Sequence, residues 1–195
     1  MTPLEAALLA QEAYDAPPDI GIADSASRAI VRHTADGLCI AFRGTDDLKS
    51  FAADFDIDPL DVPGVGKVYR GFWLAWEAMQ LDVLAAAAGQ PVTLCGHSLG
   101  AALALCAAAA MVVGGNSPAR VYGFEPPRVG VDMGIRTALA GVPLFLFRNG
   151  LDIVTEVPPG GYHAGLLTHG GTPALPVANL IDHEIARVIQ ALSTP

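Results

Sequence analysis

Residues 92–105 read VTLCGHSLGAALAL, and this run constrains the fold more than any other part of the chain. It begins as a short apolar block, ends in a segment built mostly of Ala and Leu, and carries Ser98 at the junction between Gly96 and Gly100. A chain that turns sharply from a strand into a helix has no room for Cβ atoms beside the turn, and two glycines meet that demand. A Gly-x-Ser-x-Gly pattern with a strand before it and a helix after it holds a serine hydroxyl at the rim of a sheet, beside a helix N-terminus. The plainer alternative, a Gly-Ser turn that caps the Ala-rich helix, leaves Gly96 without a purpose.

The rest of the chain agrees with a strand-turn-helix unit set in a larger sheet. Short β-like runs alternate with helical ones: PVTLC, the Ala-rich helix, ARVYGF, VDMGIRTALA, VPLFLF and a last helix IDHEIARVIQAL. That alternation predicts an α/β fold with a mostly parallel central sheet and helices on both faces. Upstream, Leu4, Leu8 and Leu9 with Glu5 and Glu12 predict an amphipathic helix that Pro17 and Pro18 stop. SRAIVRHT, the turn residues Asp36-Gly37, and LCIAFRGT predict a β-hairpin. FWLAWEAMQLDVLAAAA predicts one helix ending at Gly89 ahead of Pro91. Residues 46–66, dense in Asp, Pro and Gly, read as a long loop of the kind that covers or shapes a site.

Such a sheet needs a substantial core, and a chain of 195 residues, 52% hydrophobic and 16% charged, supplies one as a single domain over residues 1–195. Twenty acidic against eleven basic residues give a formal charge of −9, the wrong sign for holding nucleic acid. The longest uncharged apolar stretch, residues 99–113, falls short of the roughly 20 residues that cross a bilayer, so no transmembrane segment is expected. Glu5 stands where a secretory leader carries basic residues, and Cys39, Cys95 and Cys106 each lie in apolar segments as small hydrophobes rather than bridges. Both features point to a cytoplasmic protein.

Serine alone is a weak nucleophile and needs a base, which in turn needs an acid to orient it, in the chain order Ser, Asp or Glu, His. The aspartates after Ser98 are Asp132, Asp152 and Asp182. Asp152 follows the apolar strand VPLFLF and the turn RNG, where the carboxyl end of a strand delivers a side chain to the site. Asp132 reads as a first-turn acid and Asp182 as the N-cap of the last helix. His163, His169 and His183 all remain as candidate bases. His183 has one advantage: it lies in the first turn of the last helix, off the core stripe of Ile181, Ile185, Val188, Ile189 and Leu192, where a helix N-terminus keeps an imidazole neutral.

Taken in order, CIAFRGTDD, GKVYRGF, VTLCGHSLGAALA, YGFEPPRVG, DIVTEVPP and DHEIARVI, spread over residues 38 to 190, resemble the class 3 lipases, the fungal-type branch of the α/β-hydrolases. The resemblance implies an α/β-hydrolase fold, Ser98 as nucleophile, Asp152 as acid and His183 as base, with His163 near the site but not the base. It implies an oxyanion hole from Thr45 and the backbone N–H of Leu99, no cofactor or metal, and by position a lid over residues 46–58, although Phe51, Phe55 and Ile57 among the aspartates there also fit a solvated loop anchored by its two phenylalanines. The implied activity is hydrolysis of carboxylic esters, acyl lipids foremost. The same triad serves thioesters, aromatic esters or polyesters, and a silent binding module is a third reading. Two positions depart from the family pattern, and neither is expected to touch the triad: Tyr69 replaces the His of V-H-x-G-F, and Glu125-Pro126 widens or stiffens F-G-x-P-R-V-G.

Overall fold

The computed structural model describes residues 1–45 and 55–193. Its strands are Ile20–Gly21 (β1), Arg28–Thr34 (β2), Gly37–Phe42 (β3), Pro59–Val62 (β4), Gly66–Tyr69 (β5), Val92–His97 (β6), Arg120–Phe124 (β7), Leu144–Asn149 (β8) and Leu167–Gly170 (β9). Seven of them form one sheet in the order β1-β2-β3-β6-β7-β8-β9. The first two pairings are antiparallel and every pairing from β3 onward is parallel. The expected hairpin is β2 and β3, closed where Thr34 pairs with Gly37.

Helices cover both faces. Leu99–Val113 (α4) lies against β3, β6 and β7, and its outer side meets Arg70–Glu77 (α2). A helix enclosed on two sides must be apolar all round, which explains its unbroken Ala and Leu content. On the opposite face sit Pro3–Asp15 (α1) and Ile185–Ser193 (α6), packed on each other and on the sheet. Thr2 caps α1 in a reciprocal pair with Glu5, Thr2 Oγ1 accepting from the Glu5 amide and the Glu5 carboxylate from the Thr2 amide.

Four expectations need correction. In α1 the buried face is Ala6, Ala7, Ala10 and Ala13 rather than the leucines; Leu8 is 47% exposed. Small side chains let the helix axis approach the sheet closely, so the apolar stripe consists of the residues that carry least hydrophobic signal. The long second helix is two, α2 and Gln80–Ala87 (α3), because the chain tightens at Met79, whose amide donates to Trp76 O and whose side chain enters the core. The end of the expected loop is a hairpin, β4 with β5, in which Val65 N–H donates to Val62 O across Pro63 and Gly64. Gly64 has φ +79°, so the Pro-Gly pair that read as loop is the turn of a hairpin. The last helix begins at Ile185, leaving Asp182 and His183 in the turns that precede it.

Of the expected lid, residues 46–54 lie outside the described residues. Three of its last four residues are tied to α2: Phe55 packs on Phe72 at 4.2 Å between ring centroids, and Asp56 and Asp58 pair with Arg70 at 2.6 and 3.0 Å. Among the described residues no helix is long and apolar enough to cross a membrane.

Candidate active site

Ser98 sits at the carboxyl end of β6 with φ 59° and ψ −126°, a region that side-chain-bearing residues rarely occupy. Its neighbours make the turn possible. A Cβ on Gly96 would come within 2.3 Å of the Gly100 carbonyl group, and one on Gly100 within 2.1 Å of Phe42 O. Both obstacles are backbone, so neither can move aside. Ser98 N–H donates to Phe124 O at 2.9 Å, which fixes the elbow to β7. Leu99, the next residue, opens α4, where amides lack partners within the helix. Thr45 follows the end of β3, and Gly44 before it passes so near that a Cβ there would lie 2.7 Å from His97 O.

Asp152 and His183 meet. His183 Nδ1–H donates to Asp152 Oδ2 at 3.0 Å, and Asp152 Oδ1 accepts from Val154 N–H at 2.9 Å. Both side chains are buried. Burial on its own pushes the Asp152 carboxyl up, but the hydrogen bond from His183, with the neighbouring Glu125 acting in the same direction, outweighs it and holds the group below the ordinary aspartate range. With Nδ1 committed, Nε2 of His183 is the free acceptor, and among the described residues it has no hydrogen-bond partner. Ser98 Oγ makes no hydrogen bond to it in this structure.

Several residues that local pattern did not single out hold this pair in place. His97, next to Ser98, donates from Nε2 to the carbonyl of His183 at 2.7 Å and accepts the Tyr14 hydroxyl at Nδ1 at 2.8 Å. Its ring lies 4.6 Å from that of His183. Burial, then the neighbouring His183, pushes His97 down to about 3, so it is neutral with its proton on Nε2. Asp182 is no N-cap. Its buried carboxylate accepts from the amides of Leu151 and Ala174, both at 2.9 Å, from Asn179 Nδ2 at 3.0 Å, and pairs with Arg187 at 3.3 Å. Asn149 Nδ2 donates to the Asp182 carbonyl at 2.9 Å. The loop that bears Asp152 and the turn that bears His183 are thus joined through one residue.

Glu125 is the least expected member. It stands at the end of β7 with φ +54°, fully buried, and its Oε1 accepts the Asn149 N–H. Its Oε2 lies 3.8 Å from His183 Nδ1, and the ligand atoms of Glu125, Asp152 and His183 all fall within 4.8 Å of one another. Burial first, then the hydrogen bond and charge of Asp152, raise the Glu125 carboxyl to about 11. The direction of that shift favours the protonated, uncharged form. The expectation that this departure from F-G-x-P-R-V-G leaves the triad untouched is therefore corrected: Glu125 takes the glycine place of that pattern, and its carboxyl reaches the His183–Asp152 pair.

The other candidates lie elsewhere. Asp132 is not the first-turn acid expected: it precedes Met133, the N-cap of the short helix Gly134–Ala138 (α5), and its Oδ1 accepts the Gly134 and Lys67 amides at 2.7 and 3.2 Å. His163 donates from Nε2 to Thr155 O at 2.9 Å, and His169 is exposed on β9. Tyr69 is buried at the end of β5.

Comparison with known proteins extends this picture. Residues 39–162 match the family described as Lipase (class 3). A secreted mono- and diacylglycerol lipase A of Penicillium cyclopium is 29% identical over 150 residues, 72% of this chain and 49% of that protein. A lipase of Rhizomucor miehei is 30% identical over 145 residues, 66% of this chain and 40% of its own length. The chain therefore spans about half the length, or less, of the curated relatives it matches. A solved mutant of MDLA from Penicillium cyclopium aligns with TM-score 0.70 at 22% identity, covering 93% of this chain and 82% of that one. A structure described as a triacylglycerol lipase with a serine protease triad at its catalytic centre aligns with TM-score 0.65 at 24% identity, covering 80% and 74%. These likenesses fix the fold as an α/β-hydrolase.

The expectation of a cytoplasmic protein is overturned by the Penicillium relatives, which are secreted enzymes. The thiols of Cys39, Cys95 and Cys106 are free and buried, and their apolar surroundings account for that without reference to a compartment. Because the family match runs unbroken from β3 through the elbow and Glu125 to the Asp152 loop, this chain belongs to the class 3 lipases.

Proposed function

We propose that the chain hydrolyses carboxylic esters of acylglycerols through Ser98, His183 and Asp152. The observation that carries the reading is the buried 3.0 Å hydrogen bond between His183 Nδ1 and Asp152 beside a serine held at φ 59° on a strand-to-helix elbow. The relatives named as mono- and diacylglycerol or triacylglycerol lipases supply the substrate class.

Ser98 Oγ attacks the ester carbonyl carbon while His183 Nε2 takes its proton, and Asp152 stabilises the imidazolium without being protonated. The carbonyl oxygen becomes an oxyanion, which the amide of Leu99 and the amide and hydroxyl of Thr45 receive. Collapse breaks the bond to the alkoxy oxygen, which leaves as glycerol hydroxyl with the proton from Nε2. Water then gives a proton to Nε2 and its oxygen to the acyl carbon. The fatty acid departs, and the proton returns to Ser98.

The test is labelling with a fluorophosphonate probe and hydrolysis of mono-, di- and triacylglycerols by wild type and Ser98→Ala. The reading expects labelling and turnover in wild type and loss of both, by roughly 10⁴-fold or more in turnover, in the variant. An unlabelled wild type, or a variant that still turns over, refutes it. Turnover of thioesters or aromatic esters in preference to acylglycerols would replace the substrate class and leave the chemistry standing.

A further inference from the structure

We propose that Glu125 is a positioning residue of this site, a neutral carboxylic acid that donates from Oε2 to the Asp152 carboxylate and so extends the His183–Asp152 pair into a three-membered chain. The inference rests on the reading of His183 and Asp152 as base and acid.

Geometry carries it. Glu125 is fully buried, and its two oxygens have different tasks: Oε1 accepts the Asn149 amide, whereas Oε2, taken as a carboxylate oxygen, has no hydrogen-bond partner among the described residues. The group facing it is the carboxylate of Asp152, which also has nothing to donate. One proton on Oε2 resolves both problems, since an acid and a carboxylate make a hydrogen bond that two carboxylates cannot. The charged or titratable groups around Glu125 are Asp152 from the loop after β8, His183 from the turn before α6, His97 behind the His183 ring, and Arg148 on β8. Arg148 is the cation of that set, and it is ion-paired with Glu156. An ionised Glu125 would therefore place a second buried negative charge beside Asp152 with little to balance it.

The backbone gives an independent reason to regard the carboxyl as selected. Glu125 occupies the glycine place of F-G-x-P-R-V-G and adopts φ +54°, where glycine is free of strain and a larger residue is not. The strain is tolerated at a position that delivers a carboxyl to the acid of the site. As a third donor, beside His183 Nδ1–H and Val154 N–H, Glu125 fixes the orientation of Asp152 and spreads its charge.

Two variants test this through the kcat/KM profile against pH, whose acid limb marks protonation of the base. Glu125→Gly suits the backbone and removes the carboxyl. It should lower kcat roughly 10- to 100-fold with KM little changed, and it should move the acid limb upward, because the charge of Asp152 concentrates on His183. Glu125→Gln retains an N–H donor toward Asp152 and a carbonyl acceptor for Asn149. It should restore most of the lost kcat and leave the acid limb where it is in wild type. An acid limb that falls by roughly one unit in Glu125→Gln would show that wild-type Glu125 is ionised, and would overturn the proposal. A Glu125→Gly enzyme with wild-type kcat and acid limb would overturn it as well. Should that variant fail to fold, the Glu125→Gln profile decides. Ser98→Ala measured alongside separates the two readings: if it still turns over, the ester hydrolase assignment falls and the role of Glu125 with it. If it is inactive, the Glu125 results bear on Glu125 alone.

Discussion

At the scale of single residues, proximity in the chain decided what sequence could reveal. Ser98 is marked by neighbours two positions away, and Asp152 by the strand it follows, so both were legible from local pattern. His183 was not. Three histidines followed the serine, and physics alone favoured His183 only for lying in a first helical turn, which the structure corrects: it precedes α6, buried against His97. The resemblance to the family had to choose it. Glu125, Asn149, Asp182 and Tyr14 act through contacts far longer than a helical or strand period, 24 residues for Glu125 with Asn149, 33 for Asn149 with Asp182 and 83 for Tyr14 with His97, and these leave no periodic trace. Two substitution pairs check the assignments. Asp152→Asn should lower kcat by about 10⁴-fold, since the imidazole loses its tautomer and its counter-charge, whereas Asp132→Asn, altering only a helix start, should leave kcat near wild type. His183→Ala should abolish turnover and His163→Ala retain most of it, because His163 is committed to Thr155 O. Steady-state kinetics on a soluble short-chain ester reads all four, and equal losses within either pair would contradict the assignment.

Among elements, β3, β6, β7 and β8 were visible because buried parallel strands are near-continuous apolar runs, and the antiparallel β2 was visible through the hairpin turn that joins it to β3. What it misjudged has a common physical cause, namely that packing distance does not follow hydrophobicity. Alanines seat α1 on the sheet while Leu8 faces outward, and a Pro-Gly pair builds the β4-β5 turn inside a segment whose composition suggests loop. The elbow glycines give a sharp prediction at this scale. Gly96→Ala should cost about 3 kcal/mol or more, because its Cβ meets backbone at 2.3 Å. Gly89→Ala at the end of α3, with φ +74° and nothing within 4 Å, should cost only the left-handed conformation, about 1 kcal/mol. Urea unfolding of the two variants would settle the contrast, and similar losses would mean that the elbow relaxes around an added methyl.

For the molecule as a whole, two buried groups near the site oppose each other in pH. His97 falls from 6.5 to about 3 on folding. Its contribution is complete above pH 6.5 and is lost as pH drops toward 3; His163, pushed down chiefly by burial, acts in the same sense. Glu125 rises from 4.5 to about 11, so its contribution is complete below pH 4.5 and is lost as pH climbs. Between pH 6.5 and about 9 the histidines no longer titrate and Glu125 governs, at about 1.4 kcal/mol per pH unit; above that the buried thiols of Cys95 and Cys106, also pushed up, add to the decline. Unfolding free energy should therefore peak slightly on the acid side of neutrality and decline on both sides. In Glu125→Gln the alkaline decline should flatten while the acid one persists. Denaturant titrations across the pH range would show it, and a wild type whose stability increases steadily through pH 9 would exclude a neutral Glu125.

Asp182 fastens three backbone stretches at once, through Leu151, Ala174 and Asn179. Opening of the turn that bears His183 therefore also loosens the loop that bears Asp152, so the backbone around the proton relay opens as one cooperative unit. Amide hydrogen exchange at Leu151 and Ala174 should accordingly proceed at a common rate, quickened together in Asp182→Ala, while the amides of β6 beneath the nucleophile keep their protection.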